Sequence, residues 1–202
     1  MDLDALRGKL AYQPLLLGVV GLSASAALAL ANTATRDAIA AAEVRDMQQS
    51  LAQVLPGGFA DNDLLADVVE LEGPRGVPVR VHLAKRGGRV AGAVFQVAEK
   101  GYSGDITLLM AVDRDGAVLG VRVLKHTETP GLGDKIEVAK SPWITGFDGR
   151  ALGDPAPERW AVKKDGGIYD QFAGATITPR AVVKAVRGGL QFFAGHRGEI
   201  TG

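Results

Sequence analysis

Residues 10 to 35 contain no charged side chain, and from 15 to 31 nearly every residue is apolar or small. A helix of about 20 such residues crosses the hydrocarbon core of a bilayer, so this run divides the chain into a membrane segment and a soluble remainder. Arg7 and Lys9 precede it, and Arg36 and Asp37 follow. The basic flank is the one that stays in the cytoplasm, which sends the bulk of the chain to the other side. A second reading is a cleaved signal peptide, because Ala29-Leu30-Ala31 has the small-x-small form of a cleavage site. The length of the run favours an anchor. Gly18, Gly21, Ser23 and Ser25 are small enough to admit another membrane helix at close range, or they face lipid. The expected organisation is a cytoplasmic N-terminus over 1–9, a transmembrane helix over 10–34, a helix and connection over 35–78, and one soluble domain over 79–202.

Composition narrows the chemistry. The 23 basic and 23 acidic residues cancel, which leaves no electrostatic footprint for a nucleic-acid partner. With no cysteine, disulfides, iron–sulfur ligation and thiolate metal sites are excluded within this chain. His82, His126 and His196 are far apart and lack metal-ligand spacing, so no metal is expected, although carboxylate sites stay open. No G-x-G-x-x-G fingerprint occurs, so no NAD(H) site is expected.

The soluble part reads as α+β. Ala40, Val44, Met47, Leu51 and Val54 recur at helical steps, and Pro56-Gly57-Gly58 ends that helix. Residues 56–78 read as a loose connection, with 63–71 a short helix or strand inside it. Strands follow over 78–84, 89–98, 106–113 and 117–124, with Asp115-Gly116 turning the last pair into an antiparallel hairpin. Asp113 and Asp115 belong to that turn and are assigned no catalytic role. A short helix is expected near 134–140, and Val182, Val183, Val186, Leu190 and Phe193 mark the core face of a final helix over 180–193. The sheet is expected to be twisted and mainly antiparallel, with flanking helices.

Two motifs carry chemistry. In Thr129-Pro130-Gly131-Leu132-Gly133, proline disfavours helix before it, and the glycines bring backbone N–H groups near a ligand. In Asp170-Gln171-Phe172-Ala173-Gly174-Ala175-Thr176-Ile177-Thr178, the last threonine precedes Pro179 and the apolar-patterned helix. Its hydroxyl is expected at the cap, where free N–H groups favour a phosphate; the plain alternative is a capping threonine and nothing more.

The stretch from Asp170 to Thr178 resembles the D-x-x-[ST]-G-A-[ST]-x-T site at which a flavin transferase joins FMN to the last threonine. The run His126-Thr127-Glu128-Thr129-Pro130-Gly131-Leu132-Gly133-Asp134-Lys135-Ile136 resembles the H-x-E-T-P-G-L-G-D-K-I run of the G subunits of Rnf electron-transport complexes. That family is related to the C subunits of the sodium-translocating NADH:quinone reductase. Gly101-Tyr102-Ser103-Gly104, and Gly166-Gly167 followed by Asp170, resemble further elements of the family. Ala173 departs from it, standing where Ser or Thr is frequent.

The resemblance implies an FMN-binding domain over 79–202, periplasmic, anchored in a bacterial inner membrane. It implies covalent FMN on Thr178, with Asp170, Gly174, Ala175 and Thr176 as the attachment motif. The loop of Thr129, Gly131, Leu132 and Gly133 would cradle the isoalloxazine, with Leu132 against the ring face. Glu128 would bond the ribityl hydroxyls or the loop backbone, Lys135 and Lys163 would balance phosphate charge, and Tyr102 would stack on the ring or close over it. For His126 a structural role in the loop is expected over proton donation. The implied function is an electron relay in an ion-translocating ferredoxin:NAD+ oxidoreductase, a redox subunit without a substrate site of its own. Its partners would be the other membrane subunits and the flavin transferase. The alternative, a flavin-binding sensor or regulatory membrane protein, usually brings extra membrane helices and cysteine-ligated iron–sulfur segments.

Overall fold

The computed structural model describes residues 12–202; residues 1–9 and the first two positions of the expected membrane helix lie outside that range. Helix α1 runs unbroken over Tyr12–Val54. Its N-terminal portion contains an 18-residue window of mean hydropathy 2.0, long and apolar enough to cross a membrane. The chain divides into two units, residues 1–47 and 48–202.

The second unit is built on one antiparallel sheet in sequential order, β1 (Val68–Glu72), β2 (Pro78–Arg86), β3 (Arg89–Lys100), β4 (Asp105–Asp113) and β5 (Val118–Lys125). Within the 56–78 connection, the stretch expected as a short helix or strand over 63–71 carries a strand, β1. There Val69 pairs with Val81 and Leu71 with Val79. The approach is held by Asn62, whose amide donates to Leu83 O at 2.9 Å and whose carbonyl accepts from Lys85 N at 2.7 Å. Such long-range side-chain pinning has no local signature, and it is what decides between the two expected forms in favour of a strand of five residues.

The β4–β5 turn forms as the Asp-Gly signal implies. Asp113 Oδ1 accepts from Asp115 N at 2.9 Å and Ala117 N at 2.8 Å, and Gly116 has φ 90°. Strand β4 is buried on both faces. Ile106, Leu108, Met110 and Val112 belong to the main core, together with Ala93 and Phe95 of β3 and with Val182, Val183, Val186, Leu190 and Phe193 of the closing helix α2 (Ile177–Thr201). Leu109 and Ala111 alternate with them and are equally buried, as period-two geometry demands. On that second face the end of α1 closes down, with Leu51 and Val54 buried. A Cβ on Gly120 of β5 would stand 2.6 Å from Val54 O. Between β5 and α2 the chain runs through short helical turns, among them Asp134–Ile136 and Pro142–Phe147. The helix expected over 134–140 is thus a single turn, because Glu137 is already extended at ψ 130°.

Helix α2 meets the sheet closely at Gly189, where a Cβ would stand 2.8 Å from Met110 Sδ and 2.9 Å from Val97 Cγ1. Gly189→Val should therefore cost about 1–3 kcal/mol by overpacking, despite removing a helix glycine. Urea unfolding of the full chain, read as a lowered midpoint at constant slope, checks this.

Candidate functional site

The site forms where two loops meet the start of α2. The attachment stretch folds into a tight turn in which Ala175 N donates to Phe172 O at 3.2 Å and Gly174 adopts φ 80°. Phe172 is the anchor of that turn, buried and edge-on to Trp143 with ring centroids 5.1 Å apart. The Trp143 indole N–H donates to Asp170 O at 2.8 Å. Gly167 allows the approach to this turn, since a Cβ there would collide with the Ala161 carbonyl at 1.8 Å.

Thr178 is not the cap of α2. The cap position is Thr176, in α geometry and without a side-chain capping bond; Ile177 and Thr178 are the first two helical residues. Pro179 follows in the first turn, where a missing N–H breaks no intrahelical bond. Local sequence places the helix start two residues late because it shows the proline but not the tertiary partner of the threonine. That partner is Glu128. The Thr178 hydroxyl is buried and donates to Glu128 Oε2. Glu128 Oε1 in turn accepts the N–H groups of Tyr102 and Ser103, each at 3.0 Å. A buried carboxylate is tolerable only when its lone pairs are satisfied in this way.

Glycines make room for the cluster. A Cβ on Gly101 would stand 2.6 Å from Glu128 Oε1, and one on Gly133 would stand 2.9 Å from Thr178 Oγ1 and 3.0 Å from Glu128 Cβ. The Pro130-Gly131 loop is closed by Leu132 N and Gly133 N, which donate to Thr129 O at 3.2 and 3.0 Å, with Gly131 at φ 79°. Leu132 reaches the attachment turn: a Cβ on Gly174 would lie 3.3 Å from Leu132 Cδ2. Leu132, Tyr102 and Ile177 stay 42%, 69% and 47% exposed, which leaves apolar surface around the loops that bury Thr178.

Behind Glu128 lies a polar relay. Glu128 N donates to His126 Nδ1 at 3.1 Å, and His126 Nε2 donates to Glu137 Oε1 at 2.8 Å. With Nδ1 taking the Glu128 N–H, Nε2 is the ring nitrogen turned to Glu137. Lys140 bonds Asp134 at 2.8 Å and Glu137 at 3.0 Å. The His126 N–H, then Lys140, hold the Glu137 carboxyl below its ordinary range; Lys140, then the Gly131 backbone, do the same for Asp134. The Lys140 ammonium is raised by the same partners.

Of the residues singled out from sequence, Thr178, Glu128, Leu132, Gly133, Gly174 and the Tyr102 backbone come together. Thr176 and Ala175 lie one step away in the turn. Lys163 instead pairs with Asp170 at 2.6 Å, both well exposed, a pair worth little in stability. Lys135 is exposed and makes none of these contacts. Asp134, Glu137, Lys140, Trp143 and Phe172 were not assigned from sequence. The i, i+3 spacing of Glu137 and Lys140 is the one local hint.

The model of the FMN-binding domain matches residues 101–191, the part of the chain that holds the buried carboxylate, the threonine hydroxyl above it and both glycine loops. The chain is 54% identical to the G subunit of the ion-translocating oxidoreductase complex of Cereibacter sphaeroides, over 92% of its own length and 85% of the relative's. It is 46% identical to the corresponding Pseudomonas aeruginosa protein over 96% and 92%. It belongs to the family of the G subunits of ion-translocating oxidoreductase complexes, which are redox components of an enzyme complex. In fold it is similar to NqrC of Shewanella oneidensis, with a TM-score of 0.50 and 24% identity over 69% of this chain and 74% of that one.

Two outcomes follow from this geometry. Gly133→Ala pushes a methyl between Thr178 and Glu128 and should lower stability by about 1–3 kcal/mol through a loosened buried bond, read by urea unfolding. Glu137 contributes to the acid limb, with its folded pKa below the ordinary 4.5, as does the other Lys140 partner, Asp134, below 3.8. Each contribution is complete above the ordinary value and is lost as pH falls through the folded pKa. Lys140, raised above 10.5, contributes below that value and loses its share as pH rises through the folded pKa. Lys140→Gln should therefore flatten the melting temperature against pH at both ends, which a pH series of thermal melts tests.

Proposed function

We propose that this chain carries FMN esterified through its phosphate to Thr178 and relays electrons between redox centres of neighbouring subunits in an Rnf-type ion-translocating ferredoxin:NAD+ oxidoreductase complex. The observation that carries the reading is the meeting of Thr178 with Glu128 at the junction of both motif loops. The residues fit the group. The backbone N–H groups of Thr176, Ile177 and Thr178 open α2 and have no intrahelical partner, a setting that favours a phosphate.

FMN, when attached, supplies electron transfer, and this chain's residues set where it sits and what surrounds it. Leu132 and Tyr102 offer exposed apolar and aromatic faces beside the acceptor, suited to a flat ring. Gly131 and Gly133 present backbone rather than side chain. Glu128 braces the acceptor from below and holds the Tyr102-Ser103 turn. Lys163 and Lys135 are the cations for the phosphate, Lys163 by exchanging Asp170 for it. Helix α1 anchors the domain in the inner membrane and docks on partner subunits, with the domain periplasmic by the basic N-terminal flank. A covalent link keeps the cofactor where free flavin is not replenished.

The test is in-gel ultraviolet fluorescence of denatured protein co-expressed with a flavin transferase. Thr178→Val should give a folded but dark band, because it trades the hydroxyl for a methyl, and Thr176→Val should stay fluorescent. A fluorescent Thr178→Val beside a dark Thr176→Val would move the acceptor to the other threonine.

A further inference from the structure

We propose that a cavity between the Pro142–Phe147 turn and the 151–154 turn binds a small organic monocarboxylate with an apolar or aromatic body, held by Arg150 and Tyr169. The cavity measures about 820 Å³, within the range of roughly 300–1,000 Å³ usual for small-molecule sites. Two buried groups from its lining, Arg150 Nε and the Tyr169 hydroxyl, have no hydrogen-bond partner among the described residues. Tyr169 is 5% exposed. Its phenol lies within charge range of Arg150 and Asp154, and both of these line the same cavity, so the hydroxyl end of the ring is the end that faces it. Buried polar groups without partners are rare and costly, and the two oxygens of one carboxylate satisfy both of these together. The two donors are separate from the Thr178–Glu128 pair, so the site stands whether or not Thr178 carries the flavin.

The donors and the surrounding charges set the class of ligand. An arginine N–H edge beside a phenol O–H suits a carboxylate. Burial raises the Tyr169 hydroxyl above its ordinary range, against the pull of Arg150, so it remains a donor at neutral pH. Arg150 and Arg159 bring two positive charges to the walls and Asp154 brings one negative. Asp170, also in the lining, is already paired with Lys163 at 2.6 Å. One positive charge is left over, which matches a monoanion and disfavours a phosphate dianion.

Asp154 does not fill the role itself. Its Oδ1 stands 3.8 Å from Arg150 Nη1 with the side chain 78% exposed, beyond hydrogen-bond length. It belongs to a short turn in which Ala151 and Asp154 exchange backbone bonds of 3.0 Å, and an incoming carboxylate takes its place beside Arg150. The remaining walls are apolar, formed by Pro142, Trp143, Pro155 and Ile168. Trp143 is held edge-on to Phe147 with ring centroids 5.5 Å apart, which gives the body of the ligand a fixed surface to pack on.

The experiment titrates full-length flavinylated protein in detergent with para-fluorobenzoate and follows binding by fluorine NMR. Saturable one-to-one binding is expected. Acetate lacks the body, inorganic phosphate carries a second charge, and para-fluorobenzyl alcohol has no charge; each should bind at least about tenfold more weakly. Tyr169→Phe should weaken fluorobenzoate about tenfold while melting at or above the wild-type temperature, because the hydroxyl has no partner in the fold to lose. Arg150→Gln should weaken it about tenfold or more, and Asp154→Asn, which removes a competing carboxylate, should tighten it about threefold or more. Should melting curves show that Arg150→Gln does not fold, the Tyr169 and Asp154 variants decide. Absence of saturable binding, or an affinity within about twofold of wild type in both of those variants, overturns the site. Phosphate binding more tightly than fluorobenzoate overturns the carboxylate assignment. Binding confined to protein made without a flavin transferase, and lost once flavin is attached, means that the flavin itself fills the cavity and overturns a separate ligand there.

Discussion

The buried Glu128 carboxylate is the constraint around which the site is arranged. Taking a carboxylate out of water is costly unless donors meet its oxygens, and here three do, from two distant parts of the chain: the Tyr102-Ser103 backbone and the Thr178 hydroxyl. Meeting those donors ties the β3–β4 connection, the post-β5 loop and the start of α2 to one point. The glycines at 101 and 133 follow from this, because each stands where a methyl would strike Glu128 or its partner. A motif that looks like a flexible loop is, in the fold, a set of close approaches.

The sheet and α2 provide the rigid frame for that point. Strand β4 is buried on both faces, and α2 lies against β3 and β4 through its valine stripe and Gly189. The first turn of α2 is therefore fixed by the packing of Ala181, Val182 and Val183, which follow Thr178 closely along the helix. The attachment turn is fixed separately, through Phe172 in the aromatic cluster of Trp143, Phe147, Trp160 and Tyr169. The loops that face outward keep apolar side chains exposed, Leu132 and Tyr102 among them. Membership of the G-subunit family of ion-translocating oxidoreductase complexes makes this domain one part of a multi-subunit assembly.

Much of the fold was legible along the chain. Four strands, the Asp115-Gly116 turn, the helix running from the apolar segment to Val54 and the core face of α2 all rest on local periodicity and turn chemistry. What was not legible rests on contacts between distant residues. The choice between helix and strand over 63–71 depends on Asn62 reaching Leu83 and Lys85. The helix start at Ile177, rather than beyond Thr178, depends on Glu128 claiming the hydroxyl that would otherwise cap. The relay from His126 through Glu137 to Lys140 and Asp134 joins residues whose spacing reads as solvated surface.

The sequence by itself determined the apolar segment, the α+β pattern, the absence of thiol chemistry and the two motifs that name the flavin family, since each depends on residue type and near-neighbour order. Tertiary structure alone decided which of these residues touch. Period and composition act over a few residues, whereas the meeting of Thr178 with Glu128 spans 50 positions and exists because a buried charge must find its donors wherever the fold brings them.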